Sequence, residues 1–191
     1  KAIFNVAMDN ILKLSEDGKT IIGVNDEKIT HITIPDGVTT IREWAFLGCK
    51  ALQSIDIPNS ITTIGIYAFY GCSSLTSFDK FTEFTIHEIG SYAFANCTGF
   101  DKIVLPDNLD WFKDHDLTTE NVFMGCTNVK YLYLGPKFQS RPESIGLQTL
   151  DGLERIDVAP ENKLYFSHDG VLYYNYSDYG GSNFIGLLKY P

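Results

Sequence analysis

The chain has 191 residues, of which 44% are hydrophobic and 20% charged, a globular composition that excludes a disordered segment. Its 24 acidic and 15 basic residues give a formal charge of −9, and the lack of a Lys/Arg-rich run argues against nucleic-acid binding. No apolar stretch approaches the ~18 residues of a membrane span. The chain begins with Lys1 and without a signal peptide's apolar run, so we expect a mature or trimmed sequence, which leaves export open.

The two ends of the chain resemble each other. NILKLSEDG at 10–18 and NKLYFSHDG at 162–170 share Asn, Leu, Ser, Asp and Gly in register, and a short apolar run follows each. Asp-Gly between such runs is typical of a hairpin turn. We therefore predict β-hairpin-like caps at 1–30 and 160–191 of one continuous domain, because no Pro/Gly/Ser-rich linker divides the 191 residues.

The segment between these predicted caps, 31–159, repeats itself. ITIPDGVTTIREWAFLGCKALQS from Ile32 and IDIPNSITTIGIYAFYGCSSLTS from Ile55 align without a gap. Less regular copies begin at Phe78, Ile103, Leu132 and Ile156. A fixed period of about 20 to 29 residues is typical of a solenoid, in which one unit cannot bury its apolar face without its neighbours.

Each unit predicts a strand, a turn and a second turn-like piece. Both isoleucines of I-x-I lie on one face of a strand, because side chains alternate sides, and the following Pro ends that strand. The T-x-I-G piece predicts a second short strand or turn. The x-x-A-F-x-x-C piece predicts one or two turns of helix with Ala, Phe and Cys pointing inward. We therefore predict an α/β solenoid of stacked short parallel strands joined by short helical turns.

The four cysteines occupy the same place in successive units. They are Cys49, Cys72, Cys97 and Cys126. Our leading interpretation is structural, with each thiol stacked above its counterpart as a small buried hydrophobe. Disulfides between adjacent coils are the alternative, although they would strain a repeating geometry. Zinc is disfavoured because paired C-x₂₋₄-C spacing is absent.

The unit I-x-I-P-x-[SG]-[VI]-T-x-I-G-x-x-A-F-x-x-C-x-x-L resembles the BspA-like leucine-rich repeat of bacterial surface and secreted proteins. The match is strong over 30–100, recognisable over 101–135 and degenerate to about 160. It lacks the Asn ladder of commoner leucine-rich repeats and has Pro35, Pro58 and Pro106 there instead. The resemblance implies a curved right-handed solenoid with a stacked parallel sheet, and adhesion or protein recognition. The family has no recognition residue at a fixed position of its motif, so the resemblance implies no binding-site residue for this chain.

Catalytic or metal-binding chemistry has weak candidates. His31, His87 and His168 each stand alone in sequence, and we expect exposed or locally bonded histidines there. WFKDHD at 111–116 could hold a metal or an acid/base pair through Asp114, His115 and Asp116. The favoured interpretation is a solvated loop, since adjacent loop residues rarely converge on one point. We expect no cofactor and no metal.

Partner binding is better placed on the outward face of the stacked strands, where two columns of side chains alternate with the buried isoleucines. One column is His31, Ser54, Ser77, Lys102, Tyr131 and Arg155. The other is Thr33, Asp56, Asp79, Val104, Tyr133 and Asp157. The carboxy-terminal part of this face contains Tyr and Arg, which are enriched in binding hot spots, so we predict a partner-binding site there. This site comprises Lys102, Val104, Tyr131, Tyr133, Arg155 and Asp157.

The predicted carboxy-terminal cap adds an unusual density of aromatic residues: Tyr165, Phe166, Tyr173, Tyr174, Tyr176 and Tyr179. We expect about half of them to close the core. The others could contact a protein or a glycan. The leading hypothesis is a non-enzymatic module of an exported or surface-displayed bacterial protein that binds a host-matrix or neighbouring-cell protein. A glycan-binding module at the tyrosine-rich end is the alternative, and an enzyme using Asp114 and His115 is a third hypothesis.

Overall fold

The computed structural model describes residues 11–76, 86–105 and 121–175, together with the backbone of 185–189. Its strands are β1 (Leu12–Leu14), β2 (Thr20–Val24), β3 (His31–Thr33), β4 (Thr40–Ile41), β5 (Ser54–Asp56), β6 (Thr63–Ile64), β7 (Glu88–Ile89), β8 (Lys102–Val104), β9 (Tyr131–Leu134), β10 (Arg155–Val158), β11 (Tyr165–His168), β12 (Val171–Asn175) and β13 (Ile185–Lys189). In this part of the chain, helix is confined to α1 (Pro142–Ile145) and a 3₁₀ turn (Leu147–Thr149). The protein is therefore a β-solenoid rather than the predicted α/β fold.

Two stacks of parallel strands run along the solenoid. In the first stack, which contains the I-x-I strands, β3 pairs with β5, and β9 pairs with β8 on one side and with β10 on the other. The second stack pairs in the order β2, β4, β6 and β7, in which β4 and β6 are two-residue Thr-Ile strands and β7 is Glu-Ile. The pairing aligns equivalent positions of adjacent repeats, so Ile32 lies beside Ile55 and Ile41 beside Ile64. Because each residue meets its own counterpart, a side chain that is buried in one coil is buried in the next.

The A-F-x-x-C segments are hydrogen-bonded turns, which corrects the prediction of short helical turns. The backbone N–H groups of Phe46 and Gly48 each donate at 2.8 Å to a carbonyl of the next coil, those of Ala68 and Tyr70. In an α-helix these N–H groups would donate to carbonyls four residues earlier in the same segment. Gly48 also has a φ of 71°, in the left-handed region. The alternate N–H groups of Ala45, Leu47 and Cys49 donate to carbonyls three residues earlier, so the segment is a series of turns in which every second N–H group bonds to the next coil.

The core contains a ladder of aromatic rings. Phe46, Phe69, Phe94 and Phe123 stack in succession with centroids 4.8, 5.2 and 5.3 Å apart. Each is almost fully buried. The ring separation is close to the strand spacing of about 4.8 Å, as a structure repeating once per coil requires. The ladder and the flanking isoleucines form one continuous core.

The four cysteines are free and buried, as the structural interpretation predicted. The thiols of Cys72, Cys97 and Cys126 also donate hydrogen bonds to the Phe carbonyl of the preceding coil, at 3.1 to 3.2 Å. Each of these carbonyls also accepts the N–H of the cysteine in its own coil, so the thiol supplies a second hydrogen bond and links adjacent coils. Burial raises the pKa of Cys49 and Cys126 to about 12. The Cys49 and Cys126 thiols are therefore protonated at neutral pH.

Adjacent coils approach closely at the glycines of the T-x-I-G motif. A Cβ on Gly65 would overlap the backbone of Arg42 and Glu43, and a Cβ on Gly90 would overlap that of Ile66. Glycine leaves room for a neighbouring backbone that any other residue would displace. The T-x-I-G motif therefore marks where successive coils touch.

Hairpins are present at both ends of the described chain. Strands β1 and β2 are antiparallel, as are β11 and β12, whose turn at Asp169 and Gly170 has positive φ at both residues. At the carboxy-terminal end, the N–H of Ile156 donates to the carbonyl of Gly170, so this hairpin packs against β10. Whether the hairpins act as caps, and the division at 30 and 160, remain predictions. No helix in the described residues is long and apolar enough to cross a membrane.

Candidate functional site

The predicted partner-binding residues lie on three adjacent strands in one register. Lys102 pairs with Tyr131 and Tyr131 with Arg155, while Val104 pairs with Tyr133 and Tyr133 with Asp157. The residues between them, Ile103, Leu132 and Ile156, are buried. The sequence therefore placed all six predicted residues on one surface, which we call the carboxy-terminal strand face. Their role in binding remains a prediction.

Asp157 joins two of these residues into a network. Its Oδ2 accepts a hydrogen bond from Arg155 Nε at 2.9 Å and one from the Tyr131 hydroxyl at 3.3 Å. Burial, followed by the Asp157 charge, raises the pKa of the Tyr131 phenol, and the bond to Asp157 raises the pKa of Arg155. Tyr131 and Tyr133 are both half-buried, so each leaves part of its side chain accessible to a partner. Spacing alone did not indicate this network, because it depends on side-chain conformation.

The strand face also carries a second hydrogen-bonded cluster near its amino-terminal end. His31 Nδ1 lies 2.7 Å from Ser54 Oγ, and His31 Nε2 lies 3.4 Å from Asp56 Oδ2. Thr33 Oγ1 donates to the same Asp56 oxygen at 3.3 Å. These four side chains are small and polar, and they are largely exposed. His31 is thus a locally bonded surface histidine, as expected, and the next residues of both columns, Ser77 and Asp79, lie outside the described part.

The other candidates for chemistry do not form a site in the described residues. His87 is exposed, and His168 lies 3.5 Å from the neighbouring Asp169 on an exposed turn. Within 11–76, 86–105 and 121–175 there is no group of three His, Cys, Asp or Glu side chains that could hold a metal. The WFKDHD segment at 111–116, with Asp114, His115 and Asp116, falls outside these ranges.

The aromatic residues of the carboxy-terminal hairpin divide between core and surface, as expected. Tyr165 is buried and its hydroxyl donates to the Ser140 carbonyl at 2.9 Å. Tyr174 packs against the core and meets the Tyr165 ring edge-on at 5.4 Å. Phe166 and Tyr173 are half-buried and stack on each other across the two strands at 5.2 Å. Tyr176 and Tyr179 lie outside the described residues.

The parallel stacks, the one-repeat register and the internal Phe ladder define a leucine-rich-repeat solenoid. The BspA type leucine-rich-repeat region matches residues 24–146 in six copies, so the chain belongs to the BspA-type leucine-rich-repeat family. This confirms the family resemblance predicted from the repeat unit. No match was found among curated proteins.

Three solved structures show the same fold at low sequence identity. A leucine-rich-repeat protein of T. pallidum (TpLRR) is 24% identical over 76% of this chain, with a TM-score of 0.56. The pneumococcal vaccine antigen PcpA is 20% identical over 80% of this chain, with a TM-score of 0.64. A leucine-rich cell surface protein of Faecalibacterium prausnitzii is 20% identical over 96% of this chain, with a TM-score of 0.50. The chain spans 66%, 37% and 60% of the length of these structures.

Proposed function

We propose that this solenoid is a non-enzymatic binding module that recognises a partner protein through its carboxy-terminal strand face. The observation that carries the proposal is the in-register alignment of Lys102, Tyr131 and Arg155 beside Val104, Tyr133 and Asp157 on three parallel strands. Tyr and Arg are, with Trp, the residues enriched among the few that dominate the binding energy of protein interfaces. The described amino-terminal part of the same face carries polar side chains, His31, Thr33, Ser54 and Asp56, and neither Tyr nor Arg.

The network around Asp157 prepares this face for binding. Its carboxylate holds Tyr131 and Arg155 by two hydrogen bonds, so these side chains lose less conformational freedom when a partner binds. The Arg155 side chain remains 65% exposed and the bond uses only its Nε. The two Nη groups can therefore donate to a carboxylate or a backbone carbonyl of the partner.

The bacterial exterior is the setting we propose for this interaction. The family and the F. prausnitzii structure, which is described as a cell surface protein, support that localisation. A host-matrix or neighbouring-cell protein is the proposed partner. Nucleic acid is disfavoured by the charge of −9.

A glycan is the second candidate ligand, favoured by the half-buried pair of Phe166 and Tyr173 on the carboxy-terminal hairpin. A sugar ring packs on an open aromatic face, whereas these two rings cover one face of each other. Of the four described aromatic residues, Tyr165 and Tyr174 belong to the core, so a sugar would have to use the outer faces of Phe166 and Tyr173.

The test is a binding screen against extracellular-matrix proteins and a glycan array. The chain is compared with the Tyr131→Ala/Tyr133→Ala variant and with Thr33→Ala/Asp56→Ala, which changes the same face at its amino-terminal end. We expect protein binding that the first variant loses and the second retains. Glycan binding that persists in both variants would favour the hairpin ligand. Protein binding that both variants retain would exclude the carboxy-terminal strand face.

A further inference from the structure

Another side of the solenoid exposes apolar side chains on the turn segments. Among the described residues, Trp44, Leu47 and Ile66 are 54%, 47% and 45% exposed. Trp44 and Ile66 belong to adjacent coils, joined by a hydrogen bond from the Trp44 N–H to the Ile66 carbonyl at 3.1 Å. Half-buried tyrosines extend the surface over the next two coils. We name this surface the turn strip, comprising Trp44, Leu47, Ile66, Tyr67, Tyr70 and Tyr92.

Three aromatic residues of the turn strip occupy an unfavourable backbone conformation. Trp44, Tyr67 and Tyr92 have φ of 59°, 55° and 58°, in the left-handed region that bulky residues rarely adopt. Asn121 fills the same position of the fourth cysteine-containing coil with a φ of 56°. Asn tolerates this conformation better, so the fold itself does not require an aromatic residue there. Strain retained at a surface position points to a function for the side chain.

The geometry of the rings favours a protein surface over a sugar as the ligand. Tyr67 and Tyr92 stack with centroids 5.1 Å apart and planes 5° apart, and Tyr70 meets Tyr67 edge-on at 5.5 Å. These contacts occupy ring faces on which a sugar would pack. The strip combines these packed rings with the exposed side chains of Trp44, Leu47 and Ile66, and aromatic residues are enriched in protein interfaces.

The size of the strip fits a weak interface. A half-exposed Trp offers roughly 100 Å² and each other member less, so the strip offers on the order of 400 Å². Two such strips with their polar borders would bury about 1,000 Å², the lower end of specific interfaces. This area is too small for an obligate dimer and sufficient for a reversible one.

The charges beside the strip suit a second copy of the same chain. Arg42 and Glu43 lie next to Trp44 and form an exposed ion pair at 3.7 Å. Each copy therefore brings one cation and one anion, and a two-fold axis can place Arg42 of one copy near Glu43 of the other. An unrelated partner would have to supply both the apolar patch and the matching charges.

We propose that the turn strip is the interface of a weak, reversible homodimer. This interface is separate from the carboxy-terminal strand face, so the two proposals stand or fail independently. Each copy carries a formal charge of −9, and the two copies repel each other at low ionic strength. Added salt should screen this repulsion and strengthen a dimer held by apolar contacts.

The test is sedimentation equilibrium of the 191-residue chain with reductant, from low micromolar to near-millimolar concentration, at low and high salt. We expect a monomer–dimer equilibrium that shifts towards dimer at high salt. A monomer throughout, assemblies that grow beyond the dimer, or a dimer that weakens in high salt would overturn the proposal.

Trp44→Asn is the decisive variant, because Asn already occupies the equivalent position at Asn121 and suits its backbone conformation. We expect the dimer dissociation constant to rise by at least about tenfold, with circular dichroism and thermal unfolding confirming a folded chain. His168→Ala, which removes an exposed ring from the turn of the carboxy-terminal hairpin, serves as the control and should leave the equilibrium unchanged. Equal dimerisation of Trp44→Asn and the unsubstituted chain, or equal weakening by both variants, would contradict the proposal.

Discussion

The two described ends of the strand face have the same backbone geometry but expose different side chains. Strands β3 and β5 are parallel and in register, as are β8, β9 and β10. The first pair exposes a cluster of His31, Ser54, Thr33 and Asp56, and the second group exposes Tyr131, Tyr133, Arg155 and Asp157. Asp56 is 64% exposed, whereas Asp157 is 31% exposed beneath its tyrosine and arginine neighbours.

The difference shows which positions the repeat constrains. The inward isoleucines and phenylalanines must match their counterparts, because each packs on the same residue of the adjacent coil. Outward positions have no such requirement and can change from serine to tyrosine without disturbing the stack. A binding surface can therefore vary along a solenoid whose interior stays constant, and substitutions inside and outside should differ in kind.

The largest contrast is expected between Phe69→Ala and Tyr133→Ala. Phe69 stacks between Phe46 and Phe94 and is fully buried. Its loss should lower the free energy of unfolding by about 3–5 kcal/mol, and Phe94→Ala should act similarly. Tyr133→Ala, at a half-buried outward position, should cost much less. Urea unfolding of both variants measures the contrast, and equal midpoints would contradict the core assignment.

Alkaline pH should destabilise the fold through its interior thiols. Burial raises the pKa of Cys49 and Cys126 from 9.0 to about 12, so the unfolded chain loses these protons first. The stabilisation is complete below pH 9 and is lost as the pH rises to about 12, at about 1.4 kcal/mol per pH unit for each thiol.

Urea unfolding just below and about one unit above pH 9 tests this expectation. The Cys49→Ala/Cys126→Ala variant serves as the control, because tyrosine and lysine also titrate in alkali. Its free energy of unfolding should depend less steeply on pH. An identical slope in both proteins would show that the thiols do not control alkaline stability.

Gly65→Ala tests the close contact between coils. The added Cβ would overlap the backbone of Arg42 and Glu43, which cannot move without shifting a stacked turn. We expect a loss of about 1–3 kcal/mol in the free energy of unfolding. Gly23→Ala is a matched control, because its Cβ would meet Lys13 at an ordinary 3.7 Å. Thermal unfolding of Gly65→Ala that matches the control would disprove this steric role.

Asp157→Ala should have the smallest effect on stability and a specific effect on binding. The ion pair with Arg155 is partly exposed, and such pairs contribute about 0–1 kcal/mol to stability. Its removal frees Tyr131 and Arg155, so partner affinity should fall through a faster dissociation rate. Surface plasmon resonance with a partner from the screen measures this rate, with Asp56→Ala as the control. Equal dissociation rates would exclude a positioning role for Asp157.

Much of the fold was predictable because each repeat has the same pattern of apolar, proline and glycine residues. The alternation of Ile32 and Ile34 around Thr33 predicts one buried face, and the period predicts that Ile55 lies beside Ile32. The same logic placed Tyr131 beside Arg155 and predicted burial of the cysteines. An aromatic residue precedes Ala-Phe in three successive units, at Trp44, Tyr67 and Tyr92. This regularity indicates the turn strip, although the sequence analysis assigned no function to these residues.

The repeated pattern was enough to predict a solenoid, its family, its inward residues and the composition of its strand face, because each unit has to pack against copies of itself. The turns of the A-F-x-x-C segments became clear from the fold, since Ala-Phe-x-x-Cys is compatible with a helix unless its N–H groups bond to carbonyls of the next coil. The tertiary structure also decided which oxygen Tyr131 and Arg155 share, and that Trp44 faces solvent. These features depend on contacts between coils and on side-chain conformations, which spacing within one repeat does not encode.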